Sequence, residues 1–425
     1  VYTLLLLVPM GLFASGGVPV LDLGVVVAKD GPNELGEPYL FLKDRFSGVW
    51  LALRNSAGTL SWKDLGCPQE DEGSDCTNIT ASLGALVVKD GPNKQSRPYV
   101  FGLGNDGNVW NLWRNMYGEW AWSNLGCPKD SEGSDCAKIT LSLGAVPVRN
   151  DLTGSELPHV FVHVADSSDV WVLRWDPYKE KKWIWDKLGC PPNSKGTCVK
   201  FRYPLGAVVV EDNSSGAMLP HVFALGDSGN VWNLSRHASS NNSWKWSSLS
   251  CPGSLDDKNC SGSKNYIPLD GAPNVSGRPY IFMYSLDDQH VWSLSRNPDT
   301  EDNWGWTRLP DIRGRGLDSR IVAGSATVVK DDRPYIFLIE NTGKYYNLML
   351  DEYGSWISNP LGCLGSKNKP CTMNYSFGQA ITLDSAPNLS DEPYLFLVDF
   401  QGIPRLLGMS KSYMGIQLMP YIRHN

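Results

Sequence analysis

RPYVFGLGNDGNVWNLWRNMYGEWAWSNLGC, residues 97–127, decides the fold. PYVFGL reads as an apolar strand with proline at its first position, where a missing N–H does least harm to a ladder. GNDGN is turn chemistry, because Gly and Asn accept the backbone conformations that tight hairpins need. NVWNLWRN and EWAWSNLG follow as two more strands, rich in aromatic and branched residues. Just upstream, SLGALVV at 82–88 supplies a strand of small and β-branched residues. One unit therefore reads as four short strands joined by turns.

The unit recurs along the chain. A Pro followed by Tyr or His starts at Pro38, Pro98, Pro158, Pro220, Pro279, Pro334 and Pro393, at intervals of 60, 60, 62, 59, 55 and 59 residues. The six letters GNVWNL appear at 107–112 and again at 229–234. Four strands per unit, in seven copies, predict an all-β fold: a seven-bladed β-propeller with four antiparallel strands per blade. Blades taper toward a central channel, so the innermost strand must be small, as SLGALVV, SLGAVPV and PLGAVVV are. The outer strands have more room and carry the tryptophans. The first copy begins near Leu21 and the last ends with MGIQLMPYI, so ring closure is expected from packing between the first and last blades.

Bulk properties agree with a turn-rich β protein. The 425 residues include 42 Gly, 28 Pro, 17 Trp and 17 Tyr, with 20% charged residues and a formal net charge of −7. Acids and bases are mixed, and the lack of a basic stripe argues against nucleic acid as a partner. Residues 1–16, VYTLLLLVPMGLFASG, read as a secretory signal with a site near Ala14–Gly17, or else as an N-terminal arm. The apolar run is too short to span a bilayer comfortably, so no membrane insertion is expected. Residues 17–425 form the propeller.

Ten cysteines fall into five close pairs: Cys67/Cys76, Cys127/Cys136, Cys190/Cys198, Cys251/Cys260 and Cys363/Cys371. Each pair brackets a short polar loop between repeats, and no zinc-type spacing is present. The pairs come or go together, as disulfides require, which points to an oxidising compartment. Closing a loop of that size stabilises by about 2.5–3 kcal/mol on the chain-entropy view. The fifth unit has LPDIRGRGLDSR where units one to four and six have a pair, and the seventh unit also lacks one. Eight Asn-X-Ser/Thr sequons, at Asn78, Asn213, Asn233, Asn241, Asn259, Asn274, Asn374 and Asn388, also fit a secreted glycoprotein.

Two sets of tryptophans recur. Strand three carries Trp50, Trp110, Trp171, Trp232 and Trp292, with Arg54, Arg114, Arg236 and Arg296 four residues on and on the same face. Strand four adds Trp122, Trp185, Trp246 and Trp306, as well as Trp62. Large aromatics on equivalent strands are ordinary packing between blades. The alternative is a binding face: the apolar side of a sugar ring stacks on indole while Arg or Asn holds its hydroxyls.

The stretch RPYVFGLGNDGNVWNLWRN…EWAWSNLG resembles the repeat of seven-bladed propeller lectins of the Photorhabdus lectin type, over residues 22–425 and most clearly in copies one to five. The resemblance implies a multivalent lectin for fucose and related sugars, with sites on or between blades and glycans or glycoproteins as partners. Copies six and seven put Tyr346 and Arg405 at the strand-three Trp place, and sites there are expected to be lost. The cysteine loops depart from the bacterial pattern and leave the sugar open, as they do an oligomeric state.

Other chemistry finds little support. Of six histidines, His159 and His221 take the Tyr place after the anchor Pro, a structural position. No nucleophile elbow, zinc-protease or phosphate-loop motif occurs, and the acids of DEGSD and SEGSD sit in solvated loops. Neither an enzyme, a cofactor nor a metal site is expected. A protein-binding propeller and, behind it, a glycosidase or lyase are the competing readings.

Overall fold

The computed structural model describes most residues between 21 and 418. Residues 1–20, 419–425 and a number of connecting loops, the longest at 253–265 and 364–381, lie outside the described residues, and the strands at 382–387, 393–398, 404–410 and 413–418 are described by backbone only. The proposed signal segment therefore lies outside them. No helix among the described residues is long and apolar enough to cross a membrane.

The described strands form seven four-stranded antiparallel sheets, each built from consecutive strands. Sheet one holds Leu21–Val27, Pro38–Lys43, Val49–Arg54 and Leu60–Asp64; sheet two holds Ile79–Lys89, Ser96–Gly104, Val109–Arg114 and Trp120–Asn124. Sheet three holds Ile139–Arg149, Glu156–Val164, Val170–Trp175 and Trp183–Gly189; sheet four holds Phe201–Glu211, Met218–Gly226, Val231–His237 and Ser243–Ser248. Sheet five holds Tyr266–Ala272, Tyr280–Ser285, Val291–Arg296 and Trp304–Arg308; sheet six holds Ile321–Val329, Arg333–Glu340, Lys344–Leu350 and Trp356–Cys363. The last sheet holds Thr382–Pro387, Pro393–Val398, Pro404–Ser410 and Tyr413–Leu418. First strands lie side by side around the centre, and Thr382–Pro387 lies against both Ile321–Val329 and Leu21–Val27.

The expectation of seven equivalent blades is corrected by the packing. Among the residues whose side chains are described, five apolar cores join six blades in series, from sheet one to sheet six. In each core a strand-two Phe meets the first Trp of the next sheet's outer strand edge to face: Phe41–Trp120, Phe101–Trp183, Phe161–Trp244, Phe223–Trp304 and Phe282–Trp356, with centroids 5.0 to 5.9 Å apart. The last sheet has no Trp in its outer strand, and sheet one starts its own with Leu60. The sequence therefore does not encode that aromatic joint on either side of the last sheet.

The centre is tight because the first strands are nearly bare. Gly24, Gly84, Gly144 and Gly206 have φ of +126°, +117°, +113° and +102° and mark bulges in the first strands. A Cβ on Gly24 would lie 2.6 Å from the Cβ of Ala85, and one on Gly144 would lie 2.9 Å from the backbone nitrogen of Ala207. Ser82 and Ser142 add hydroxyl bonds to the carbonyls of Leu23 and Leu83 in the preceding sheets, at 3.0 and 3.1 Å.

Three crossovers from an outer strand to the next first strand are closed by disulfides: Cys67–Cys76, Cys127–Cys136 and Cys190–Cys198. Cys251 and Cys363 are disulfide-bonded too. Cys260 and Cys371 lie outside the described residues.

Candidate functional site

The recurring GNVWNL string builds the heart of sheets two and four. In both copies the Gly has positive φ, the Val and Leu are fully buried, and the second Asn is buried as well. In sheets one, two and five the strand-three ring is anchored by an acid from the preceding turn. The indole N–H of Trp50 donates to Asp44 Oδ2 at 2.8 Å, and those of Trp110 and Trp292 donate to Asp106 and Asp288 at 3.0 Å each. Sheet six repeats the device with other residues, the Tyr346 hydroxyl donating to Glu340 Oε2 at 3.3 Å. Trp171 and Trp232 keep their indole nitrogens buried without a protein acceptor.

This burial revises the candidate ligand residues. Trp110 is 1% exposed and cannot offer a face to a ligand. Trp50, Trp171, Trp232 and Trp292 are half-buried. Trp122, Trp185, Trp246 and Trp306 are half-buried in the grooves between neighbouring sheets. The indoles of Trp122 and Trp306 reach back to the carbonyls of Leu65 and Leu249 in the preceding sheet, at 3.2 and 3.0 Å, whereas those of Trp185 and Trp246 are buried without an acceptor.

The arginines serve the fold in part. Arg114 Nε donates to the Gly118 carbonyl at 2.9 Å and closes its own hairpin. Arg236 lies close enough to His159 of sheet three for its charge to act on that ring. Arg296 is half-buried with its Nε enclosed, and the side chain of Arg54 lies outside the described residues.

The sequons divide similarly. Asn233 is 3% exposed with its amide nitrogen 3.2 Å from His221 Nδ1, so a glycan there is incompatible with the folded blade. Asn78 is half-buried and accepts from the Ser47 hydroxyl at 3.1 Å. Asn213, Asn241, Asn259, Asn274, Asn374 and Asn388 lie outside the described residues.

The junction of sheets five and six differs from the others. Two residues that fill this groove elsewhere are replaced here. Asp311 stands where the Leu-Gly-Cys of sheets one to three places its first cysteine. Ser358, paired with Leu348, stands where Trp122 pairs with Leu112 and Trp306 with Leu294. A disulfide and an indole are thereby both lost, and an open cleft of about 530 Å³ results. Arg308, Leu309, Pro310 and Asp311 line it from sheet five, and Ser355 and Trp356 from sheet six. Its volume is that of a small-ligand site. An indole, a guanidinium and a carboxylate converge on it.

Its polar groups are organised by one histidine. His290 Nε2 lies 2.6 Å from Asp311 Oδ1 and also contacts the Arg308 guanidinium. His290 Nδ1 is 3.8 Å from Asp288 Oδ1, and Asp288 in turn holds the Trp292 indole. Arg308 and Asp311 are 3.8 Å apart. The sequence carried the signal in the missing cysteine pair of the fifth unit, but Trp356, Arg308 and Asp311 were not among the candidates it suggested.

Elsewhere, titrating groups are set by burial. Burial pushes the His159 pKa down to about 4 despite a bond from Nδ1 to the Leu157 carbonyl, and it also lowers His163. Asp22, on the first strand of sheet one, is pushed up to about 6 by burial, against the opposing hydrogen bond from Gly24 N–H. Asp169, Cys190 and Cys198 lie close together, but the two sulfurs are bonded to each other and offer no thiolate to a metal.

Comparison with known proteins places the architecture. No family model matches the chain, and no curated protein is detectably similar. Among solved structures, the BP39L lectin of Burkholderia pseudomallei superposes with a TM-score of 0.60 at 13% identity, over 95% of this chain and 99% of that one. The Aleuria aurantia lectin, described as six-bladed with a novel fucose recognition mode, gives a TM-score of 0.46 at 15% identity over 79% of this chain and 95% of its own. AofleA of Arthrobotrys oligospora gives 0.44 at 11% identity, over 81% of this chain and 86% of that one. The first of these likenesses shows a shared fold, and the four antiparallel strands per blade of this β-propeller are those of its own sheets.

Proposed function

We propose that this protein is a secreted carbohydrate-binding propeller, a lectin without catalytic activity, whose ligands are fucosylated glycans or glycoproteins. The observation that carries the reading is the cleft between sheets five and six. There Trp356 offers an apolar surface beside Arg308 and Asp311, the pairing of stacking face and hydroxyl-binding groups that a sugar ring requires. The likeness in fold to a bacterial lectin supports the scaffold, and the repeat's resemblance to fucose-binding propellers supports the sugar. Disulfide-closed crossovers support an oxidising, extracellular setting. Half-buried tryptophans in the other grooves, Trp122, Trp185, Trp246 and Trp306, are the secondary sites through which several weak contacts would act together.

A glycan array with a free-fucose competition arm tests the reading. Retention on fucosylated glycans, lost with free fucose and with Trp356→Ala, is the expected result. A folded sample that ignores every glycan would overturn it.

A second reading, a protein-binding platform, draws on three exposed tyrosines. Tyr117, Tyr178 and Tyr353 are 81%, 67% and 84% exposed at the tips of strand three–four hairpins in sheets two, three and six. Each is held by an Asn or Asp two residues earlier that accepts from its backbone N–H. Binding to a glycoprotein that survives enzymatic deglycosylation of that partner would favour it.

A further inference from the structure

We infer that His290 is a positioning residue for the cleft between sheets five and six, and that it makes ligand binding there weaken as pH falls. The inference rests on the carbohydrate reading of that cleft and adds its regulation. Around His290, the charged groups in ion-pair reach among the described residues are Asp288 from the turn before its own strand, and Arg308 and Asp311 from the end of the outer strand.

The argument is one of proton counting. A neutral imidazole has one N–H and one lone pair. With Nε2 unprotonated, that nitrogen accepts from Arg308, and Asp311 meets no donor from the ring. With Nε2 protonated in the neutral ring, it donates to Asp311, and Arg308 loses its acceptor. The two contacts on Nε2 are thus alternatives, which leaves the Asp311 carboxylate and the Arg308 guanidinium available to the cleft in turn. Asp311 is 83% exposed and Arg308 54%, so both side chains are free to turn toward a ligand.

Protonation ends this balance. A doubly protonated ring donates from Nε2 to Asp311 and faces Asp288 from Nδ1, while it repels Arg308. The carboxylate that would accept sugar hydroxyls is then committed to the imidazolium. The histidine stands at the residue that precedes strand three, where sheets two and four have Asn108 and Asn230. It also faces the single described crossover in which Asp311 replaces a cysteine. The device therefore belongs to this junction alone among the described ones.

The test uses the full chain labelled with ¹⁵N at its indole nitrogens, with methyl α-L-fucoside as probe. The Trp356 signal is assigned by its loss in Trp356→Phe, and titrations are run at pH 7.5 and 5.5. The expected result is a shift of the Trp356 signal with affinity several-fold weaker at pH 5.5. In His290→Gln, which keeps a donor but carries no ionisable ring, affinity should be equal at the two pH values. Equal affinity in the unaltered protein, or an unchanged pH dependence in His290→Gln, would overturn the inference while leaving the carbohydrate reading intact. No shift of Trp356 at either pH would overturn the use of this cleft by the sugar, and with it the inference. Dispersed indole spectra at both pH values exclude unfolding as the cause.

Discussion

Phe223 of sheet four and Trp304 of sheet five meet edge to face, with centroids 5.0 Å apart and ring planes 69° apart. Phe223 is fully buried, and Trp304 covers it from the neighbouring blade. The same contact recurs at the four other junctions between sheets one and six. The outer-strand doublet thus has a division of labour: its first Trp locks onto the preceding blade and its second Trp fills the groove.

That joint predicts its own energy. Phe223→Ala should destabilise the protein by about 3–5 kcal/mol, the cost of truncating a buried aromatic. A double-mutant cycle with Phe223→Leu and Trp304→Leu should show a coupling of roughly 0.5–1.5 kcal/mol, the usual worth of an aromatic pair beyond its area. Chemical denaturation measures both. Additive single effects would mean that the rings merely share a core.

The acid under the Trp50, Trp110 and Trp292 rings should matter for folding and not for recognition. Asp106→Ala leaves the buried Trp110 N–H without an acceptor. The expected loss is about 1–3 kcal/mol, with glycan-array retention unchanged. Loss of retention at full stability would restore Trp110 to the binding surface.

Acid should weaken the fold through His159. Its folded pKa of about 4 lies below the ordinary 6.5 because burial disfavours the charged ring. Between those values the unfolded chain holds a proton that the folded chain does not, so stability is complete above pH 6.5 and declines as pH falls toward 4. The loss is on the order of 3 kcal/mol. His159→Tyr, the residue found at this place as Tyr39 and Tyr99, should flatten the fall of melting temperature between pH 6.5 and 4. An equally steep fall in that variant would assign the acid sensitivity elsewhere.

Asp22 should act in the opposite sense. Its carboxyl is raised to about 6 from 3.8, so the folded chain holds a proton that the unfolded chain has released. Its contribution is therefore present at low pH and is lost as pH rises from about 4 through 6. Asp22→Asn keeps an acceptor for the Gly24 N–H and removes the ionisation. The variant should melt higher than the parent at pH 7.5, with the difference vanishing near pH 4. A lower melting temperature at pH 7.5 would contradict this.

Refilling the cleft should silence it. Ser358→Trp restores the indole that the outer strand carries at this place in sheets one to five. Because Ser358 is buried, some strain is expected, of about 1–3 kcal/mol. If the molecule stays folded by circular dichroism, the Trp356 response to methyl α-L-fucoside should be lost. A retained response would place the ligand outside the vacated groove.

Much of this was legible in the chain itself. The Pro-Tyr anchor, the Gly-Asn turn and the Trp doublet located the strands of sheets one to six, because turn chemistry and alternation act over a few residues. The cysteine pairs followed for the same reason, since each closes a loop of nine residues or fewer. The binding candidates were less legible. Trp110 and Trp292 have the same local pattern, yet Trp110 is sealed and Trp292 half-buried, a difference made by neighbours in space.

The sequence by itself determined the period, the four-strand unit, the bare inner strands and the junction that lacks a disulfide, all of which depend on residues close together along the chain. Only the tertiary structure decided that Trp356 of one blade shares a cleft with Arg308 and Asp311 of another, that the last two meet at one nitrogen of His290, and that six blades share aromatic cores. The reason is that grooves form between sheets some 60 residues apart in sequence. What fills or vacates a groove depends on which side chains the packing brings to it.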